Sequence, residues 1–377
     1  MKETEHFETL AVHAGRSVDR TSGAVTPPLI LSTTFERGAD GSFPSGFSYA
    51  RTDNPGRRSL EACIAALEGG GRAFCFASGS AAVTATFSLL RPGEHLLAPA
   101  ECYYGTLLQI RTLFATHGIE FSLFEARETA DLESLWRPNT RLVWIETPNN
   151  PLLGITDIEA TARLARTRGA RLAVDSTFAT PLAQRPLDLG ADLVVHSATK
   201  YFGGHSDVTG GVVVVRDDAL AAELTSMQVL GGAVPSPFDC WLIRRSIATL
   251  PCRFRVQCDS ADRVARYLAA SAQVERVFYP GLATHPGHEL ARRQMRYFGG
   301  IVSFCVPGSA REALAVAARL KLITRATSLG GIESLVEHRA SIEGPTTRTP
   351  QNLLRLSIGL EHADDLIADL RQALENH

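Results

Sequence analysis

Several features that mark secreted, membrane-spanning or nucleic-acid-binding proteins are missing from this sequence. It has no uninterrupted apolar segment that approaches the ~20 residues of a membrane-spanning helix, and its first residues are polar, without the apolar core of a signal peptide. The net charge is −2 and no long basic run occurs. Binding to nucleic acid or to a membrane surface is therefore not expected. No internal repeat or low-complexity segment is present.

Cysteine is sparse and follows no pattern. The seven cysteines are scattered, odd in number and without a Cys-x-x-Cys pair. This argues against a disulfide framework or a zinc site, and it favours reduced thiols in the cytoplasm. His205 and Asp207 suggest a metal site or a catalytic triad, but no third ligand lies at a plausible spacing. A polar turn explains both residues, and no metal is expected.

The sequence does contain a regular alternation of short apolar segments and helical segments between about residues 48 and 235. This pattern predicts an α/β fold with a mostly parallel sheet that is covered by helices on both faces. In such sheets, ligands bind beyond the carboxyl ends of the strands. The strand candidates are 72–76, 95–98, 120–124, 142–145, 172–174, 193–195 and 212–215, and the main helix candidates are 81–90, 106–117 and 158–168.

Three parts of the chain differ in composition and in predicted secondary structure. Residues 1–47 contain turn formers and no strong amphipathic helix, which predicts an extended N-terminal arm that lies on a partner subunit. Residues 48–236 form the large domain. Residues 237–377 are predicted as a smaller α+β domain, beginning with one long helix over 239–270. Its strands are expected near 304 and at 354–358, and its helices at 310–320 and 363–374.

Lys200 and Asp175 indicate a pyridoxal phosphate (PLP) site. Lys200 follows a predicted strand, is flanked by hydroxyl side chains and precedes a Gly-Gly turn; Asp175 ends the preceding strand. PLP needs a lysine that bonds to it, hydroxyls that hold its phosphate, and an anion beside its ring nitrogen. A surface lysine and a helix-capping aspartate are the ordinary alternatives. The two residues together, one strand apart, favour the cofactor site.

The segment Ser78, Gly79 and Ser80 follows the first strand and opens a helix. A helix N-terminus presents free N–H groups and a positive dipole end, which suits a phosphate. Ser197 and Thr199 can reach the same anion. Because helix capping selects the same residue types, the serine-glycine pair is weak evidence on its own.

Three further residues are candidates whose patterns leave alternatives open. Tyr103 can stack on the cofactor ring and transfer protons, or it can be a core tyrosine. The segment 146–151, with Asn150, can bond to the cofactor or form a simple turn. Arg355 alternates with apolar residues on a predicted strand, which suits bidentate binding of a carboxylate as well as a solvent-facing position.

These segments together resemble the Cys/Met-metabolism family of PLP enzymes, which includes cystathionine γ-synthases, cystathionine γ- and β-lyases, methionine γ-lyases and homoserine-ester sulfhydrylases. The resemblance covers nearly the whole chain. It implies the aspartate-aminotransferase-type fold (fold type I), PLP as cofactor and a homotetramer of two active dimers. The matching segments are 9–15, 33–35, 49–55, 78–79, 103, 146–151, 175, 197–205, 328–335 and 354–361.

The resemblance also implies a role for each site residue. Lys200 would bond to PLP, Asp175 would pair with its ring nitrogen, and Tyr103 would stack on the ring. The phosphate ligands would be Gly79, Ser80, Ser197 and Thr199, with Tyr49 and Arg51 reaching it from a neighbouring subunit. The substrate carboxylate would bind Asn150 and Arg355, with help from the backbone of Ser328.

The expected activity is γ-elimination or γ-replacement on cystathionine or a homoserine-derived amino acid. The alternative is a cystathionine β-lyase or a cysteine-type β-eliminating enzyme. An aminotransferase matches less well, and a non-catalytic PLP-fold subunit is a further alternative. Departures from the better-known members leave the substrate, the leaving group and the direction of reaction open. Thr327 replaces the glutamate of γ-synthases and many γ-lyases, Gly105 the cysteine of methionine γ-lyases, Leu329 the tryptophan of enteric-type β-lyases, Tyr104 a common glycine, and Ser176 an asparagine.

Overall fold

Seven strands between residues 72 and 215 form one sheet in the computed structural model, which describes residues 5–125, 129–344 and 347–375. The strand order is β1-β7-β6-β5-β4-β2-β3, with β7 antiparallel to both of its neighbours and all other pairs parallel. All seven predicted strands are confirmed. They are β1 (Arg72–Phe76), β2 (His95–Pro99), β3 (Glu120–Phe124), β4 (Thr140–Glu146), β5 (Arg171–Asp175), β6 (Leu193–His196) and β7 (Gly211–Val215).

Helices cover both faces of this sheet, as the continuous apolar strands indicate. Val212 and Val214 of β7 point into a core with α2 and α9, whereas Val213 and Val215 point into a core with α3 and α8. The helices up to residue 247 are α1 (Phe7–His13), α2 (Pro55–Leu67), α3 (Gly79–Phe87), α4 (Tyr104–Leu108), α5 (Thr129–Ser134), α6 (Ile158–Thr167), α7 (Thr180–Ala183), α8 (Asp218–Gly231) and α9 (Pro237–Ile247).

Shorter helical turns complete this part of the chain. The helix predicted over 106–117 starts as α4, continues as a π-helical turn (Gln109–Phe114) and ends as a 3₁₀ turn (Ala115–His117). A further 3₁₀ turn covers Pro186–Leu189. None of the helices that the structure describes is long and apolar enough to cross a bilayer.

The N-terminal segment differs from the prediction at its start. The short helix α1 lies in the segment where no strong amphipathic helix is predicted, and its Phe7 and Ala11 are buried one helical turn apart. Arg244 of α9 donates hydrogen bonds to the carbonyl oxygens of Ala11, Val12 and Ala14, which ties α1 to the body of the protein. The described residues between α1 and α2 are irregular apart from one bridge, between Thr34 and Tyr49.

The rest of the chain builds a second sheet of five strands, ordered β10-β11-β12-β9-β8. The long helical stretch predicted over 239–270 is helical but divides into two helices, because α9 ends at Ile247 and α10 begins at Leu250. Pro251, in the first turn of α10, has no N–H to continue a preceding helix. The elements are α10 (Leu250–Ala270), β8 (Arg276–Phe278), α11 (His288–Gln294), β9 (Ile301–Cys305), α12 (Ala310–Arg319), β10 (Thr324–Arg325), β11 (Leu335–Glu337), α13 (Arg339–Glu343), β12 (Leu353–Ser357) and α14 (Ala363–Glu375).

Candidate active site

The carboxyl ends of β4, β5 and β6 open into a cavity of about 400 Å³. The second sheet closes it from the other side, because Arg355 of β12 and the loop before β11 reach into it. The structure thus brings residues from both ends of the chain together. The predicted site residues that line the cavity are Gly79, Ser80, Tyr103, Asn150, Asp175, Ser197, Thr199, Lys200, Ser328 and Arg355.

Tyr49 and Arg51 lie outside this cavity. Tyr49 is 44% exposed, and the Arg51 guanidinium donates a hydrogen bond of 2.6 Å to the carbonyl oxygen of Val229. The guanidinium carbon of Arg51 also lies 5.7 Å from the centre of the Tyr49 ring. The two residues therefore form a small exposed cluster beside α8, away from the lysine of the same chain.

Lys200 lies just beyond the end of β6, with its amine inside the cavity. Its Nζ donates a 2.9 Å hydrogen bond to Oγ of Ser328. Burial, together with the nearby charge of Arg355, lowers the pKa of Lys200 to about 8. A lower pKa increases the neutral fraction of the amine at physiological pH, and only the neutral amine is a nucleophile or a base.

Ser328 contacts both cationic groups of the cavity. Its hydroxyl accepts from Lys200, and its carbonyl oxygen accepts a 3.0 Å hydrogen bond from Nη2 of Arg355. The residue has φ of 92°, a left-handed conformation that is unfavourable for a residue with a side chain. Such conformations persist where the surrounding contacts fix them, and they are frequent at functional sites.

Arg355 is a buried residue, so a solvent-facing arginine is the wrong alternative for this position. It is 3% exposed, its Nη1 donates 2.8 Å to Oδ1 of Asn150, and its Nη2 is paired with Glu337 of β11. Burial lowers its pKa to about 10. Within the described residues its Nε has no hydrogen-bond partner. A buried donor of this kind suits an anion that enters the cavity.

Asp175 and Glu146 are neighbours at the ends of the adjacent parallel strands β5 and β4. Oδ1 of Asp175 accepts from the backbone N–H of Thr177 at 3.0 Å, and burial raises its pKa. A cationic group beside Asp175 would keep the carboxylate ionised, as a protonated ring nitrogen does. Burial and, secondly, the charge of Asp175 raise the pKa of Glu146.

The N-terminus of α3 forms another wall. Ser78 caps the helix, with its Oγ accepting from the N–H of Ala81 at 3.1 Å, so the capping explanation holds for that residue. The first N–H groups of the helix, from Gly79 and Ser80, have no partner within the helix itself. A Cβ on Gly79 would lie 2.9 Å from Oγ of Ser197, so only glycine permits this close approach.

Thr199 and Thr177 support the same wall through bonds to the backbone. The hydroxyl of Thr199 donates to the carbonyl oxygen of Gly210 at 3.2 Å, and the hydroxyl of Thr177 accepts from the N–H of Ser197 at 2.8 Å. Both threonines line the cavity. Thr177 therefore links Asp175 to the wall formed by Ser197 and the N-terminus of α3. Its only signal in the sequence is its place two residues after Asp175.

Tyr103 precedes α4 and is 46% exposed, which excludes a core tyrosine in this chain. Its ring lies against the backbone of Gly105, where an added Cβ would come within 2.5 Å of the ring. Its backbone N–H donates to Oε2 of Glu146 at 2.8 Å. The tyrosine ring is thus held at the cavity wall by its neighbours in the chain and by a buried carboxylate.

A buried charged cluster that sequence reasoning missed stands beside Arg355. Arg339 of α13 lines the cavity and donates to Glu337 at 3.1 Å and to Glu343 at 3.0 Å. Glu337 is shared by Arg339 and Arg355, so the two arginines and two glutamates balance one another. Glu337, Arg339 and Glu343 are close in sequence, but no residue spacing indicates that Arg355 of β12 joins them.

A lysine with a lowered pKa, a carboxylate at the next strand end and a glycine-lined helix N-terminus fit PLP in its three functional parts: aldehyde, ring nitrogen and phosphate. The fold and this cavity define a PLP-dependent enzyme of the aspartate-aminotransferase type. The family model described as "Cys/Met metabolism PLP-dependent enzyme" matches residues 8–375. The chain belongs to this family, as the resemblance implied.

Relatives within the family carry three different activities. A cystathionine γ-synthase of Mycobacterium tuberculosis is 45% identical over 372 residues, covering 97% of this chain and 96% of the relative. A cystathionine β-lyase of Lactococcus lactis subsp. cremoris is 40% identical over 377 residues, covering 98% and 99%. The crystal structure of a cystathionine γ-lyase from Lactobacillus plantarum complexed with L-serine superimposes with a TM-score of 0.95 at 39% identity, covering 98% and 99%.

Proposed function

We propose that this protein is a transsulfuration-type enzyme that catalyses γ-elimination or γ-replacement on cystathionine or a homoserine-derived amino acid. The observation that carries the proposal is the double contact of Ser328 with Lys200 and Arg355. A substrate whose carboxylate binds Arg355 has its α-carbon within reach of the Lys200 amine. Similarity to a γ-synthase and to a γ-lyase supports the γ-position as the site of reaction.

Different residues of the cavity hold different parts of PLP. Lys200 bonds to it, Asp175 faces its ring nitrogen and Tyr103 stacks on its ring. The phosphate binds the N–H groups of Gly79 and Ser80 and the hydroxyls of Ser197 and Thr199. Tyr49 and Arg51 of a neighbouring subunit complete that phosphate site. When bound, PLP withdraws electrons from the substrate and so makes the proton on its α-carbon acidic.

The chain's own groups then bind the substrate and move its protons. Arg355 and the amide of Asn150 bind the α-carboxylate, a bidentate arrangement that fixes the orientation of the α-carbon. The amine of the substrate replaces Lys200 on the cofactor, which frees the Lys200 amine. Its neutral Nζ then removes the α-proton and, for reaction at the γ-carbon, removes a β-proton as well once the first proton has been released. The phenol of Tyr103, at the open side of the cavity, donates a proton to the departing γ-substituent.

The second candidate function is β-elimination, favoured by the 40% identity to a cystathionine β-lyase. Four of the five residues at which the chain departs from better-known members lie in the cavity wall, where they can contact the substrate beyond its α-carbon. Thr327, Gly105, Leu329 and Tyr104 all line the cavity. Because none of them takes part in binding the α-carboxylate, they affect the leaving group and leave proton removal by Lys200 unchanged.

Incubation of the yellow PLP-loaded protein with L-cystathionine, followed by mass spectrometry of the products, tests the proposal. 2-Oxobutanoate with cysteine supports γ-elimination, whereas pyruvate with homocysteine replaces it with β-elimination. If neither forms, an O-acyl-homoserine with cysteine is supplied, and cystathionine as product supports γ-replacement. Failure of all three reactions overturns the proposal. Lys200→Ala is the control, and it should be inactive in every arm.

A further inference from the structure

Glu146 is a buried carboxylate in the cavity wall to which the proposed mechanism assigns no role. It is 5% exposed and lies at the end of β4, next to Asp175. Its two oxygens accept hydrogen bonds from two different segments. Oε2 accepts from the backbone N–H of Tyr103 at 2.8 Å, and Oε1 accepts from the backbone N–H of Asn150 at 2.7 Å.

These two segments contribute different parts of the site. Tyr103 directly precedes α4, and its side chain lines the open side of the cavity. Asn150 contacts Arg355 through its side-chain oxygen, at 2.8 Å. A continuous path therefore runs from the tyrosine through Glu146 and Asn150 to the arginine, with every link a hydrogen bond of 2.8 Å or less.

We propose that Glu146 is a positioning residue that fixes Tyr103 and Asn150 relative to each other, so that the cofactor-ring wall and the substrate-carboxylate wall form one rigid unit. The inference rests on the roles proposed above for Tyr103 and Asn150. Its physical basis is the cost of leaving a buried donor without a partner, which exceeds the net gain of forming an ordinary hydrogen bond.

Only a carboxyl group of this length satisfies both donors. A glutamine offers one acceptor oxygen, and its NH₂ group would face the second N–H donor. A protonated carboxyl group keeps a lone pair on each oxygen, so both bonds persist whether or not Glu146 carries a proton. An aspartate is one methylene shorter and cannot reach both segments at these distances.

The chain offers a matched control in Glu61 of α2. This glutamate is also largely buried, and its Oε1 accepts from the backbone N–H of Cys75 and from Nε2 of Gln228, both at 2.8 Å. Burial raises its pKa to about 7. Glu61 lies outside the cavity, so Glu61→Gln tests the loss of a buried carboxylate that holds only the scaffold.

The experiment compares PLP-loaded wild type, Glu146→Gln and Glu61→Gln by visible circular dichroism, by the dissociation constant for PLP, and by KM and kcat. For Glu146→Gln we expect a weaker visible signal, and KM and the PLP dissociation constant each raised about tenfold. Glu61→Gln should match wild type in all of these and differ only in melting temperature. Wild-type values for Glu146→Gln, or changes equal to those of Glu61→Gln, would overturn the inference.

Two of these measurements distinguish a failure of this inference from a failure of the proposed function. The visible signal and the PLP dissociation constant need no turnover. If wild type is inactive on every substrate but Glu146→Gln still alters both, the proposed function fails and the positioning role stands. If Glu146→Gln does not fold, Glu146→Asp is measured in its place. The same direction of change is then expected, and wild-type values would reject the role.

Discussion

At the scale of single residues, Ser328 connects the chemistry of this site. It holds the amine of Lys200 through its hydroxyl and the guanidinium of Arg355 through its carbonyl oxygen. The left-handed backbone of Ser328 allows both groups to be bound by one residue. The proposed base and the proposed carboxylate ligand are therefore placed by the same short segment, and a small shift of that segment would misplace both.

The lowered pKa of Lys200 predicts a pH-dependent stability of the apoenzyme. Burial lowers this pKa from 10.5 to about 8, so between these values the folded protein binds fewer protons than the unfolded chain. Its stability relative to Lys200→Met should therefore rise with pH across that window, by up to about 3 kcal/mol. Below this pH window the amine is charged in both states, so the folded protein bears the full cost of burying the charge.

Urea unfolding of the two apoenzymes between about pH 7 and pH 10.5 measures this difference. Lys321→Met, which removes an exposed lysine outside the cavity, is the control. The difference between wild type and Lys200→Met should exceed that of the control at high pH. A difference that does not change with pH would show that the Lys200 amine is not desolvated in the folded apoenzyme.

Single residues also show where sequence reasoning succeeds and where it stops. Lys200 and Asp175 could be predicted to meet because each follows a recognisable strand, and parallel strand ends share one edge of a sheet. Glu146 stood at such an end too, but its partners are backbone N–H groups. Every residue type except proline supplies those groups, so the sequence cannot indicate this contact. Arg339 differs, because Glu337 and Glu343 are close to it in sequence, and only the pairing of β11 with β12 brings Arg355 to the same cluster.

At the scale of elements, the helix α3 shows why glycine is needed at the start of a helix that faces an anion. The sequence placed this helix two residues too late, at 81 instead of Gly79, because serine and glycine are typical of turns. The structure shows that these residues belong to the first turn. Their N–H groups have no partner within the helix, and Gly79 lies directly against Ser197.

Gly79→Ala should weaken PLP binding while leaving the fold intact. The new Cβ would lie 2.9 Å from Cβ and Oγ of Ser197, so α3 or the Ser197 segment must move away from the position that suits a phosphate. We expect the PLP dissociation constant to rise about tenfold or more. Fluorescence titration of the apoenzyme with PLP measures it.

Gly231→Ala is the matched control for this substitution. Gly231 is the last residue of α8, and an added Cβ would have no heavy atom within 4 Å among the described residues. Alanine there should preserve PLP binding and stabilise the helix slightly. Equal affinities in wild type and Gly79→Ala would show that the close approach of α3 to Ser197 has no part in binding the phosphate.

At the scale of the whole molecule, the arrangement of the two sheets could not be predicted from local sequence patterns alone. Most strands of the large sheet were predictable because continuous apolar runs that are buried on both faces indicate a strand of a covered parallel sheet. The short strands β8, β10 and β11 have only three, two and three residues, and they gave no usable pattern. Arg355 enters the site only because β11 and β9 flank β12 and fix its register.

The segment between α1 and α2 bears on how copies of this chain assemble. It has little regular structure, and it exposes apolar side chains at Val25 and Leu31. We propose that it lies on a second copy of the chain in a homotetramer of two active dimers, and that the seven free cysteines reflect a reducing, cytoplasmic environment. Tyr49 and Arg51 stand at the end of this segment, outside their own cavity.

A complementation experiment tests whether Arg51 acts in a neighbouring site. Arg51→Ala and Lys200→Ala should each be nearly inactive as pure proteins. If Arg51 serves the partner's cavity, co-expression of the two variants restores activity, because a hybrid dimer has one site with Lys200 from one chain and Arg51 from the other. About a quarter of the sites are then intact.

Co-expression of Asp175→Ala with Lys200→Ala is the control, since both residues serve the cavity of their own chain and no intact site can form. Activity that stays at the level of this control would place Arg51 in the site of its own subunit, whereas an active pure Arg51→Ala protein would place it outside catalysis. Recovery in the first pair alone would establish that the active unit contains two chains.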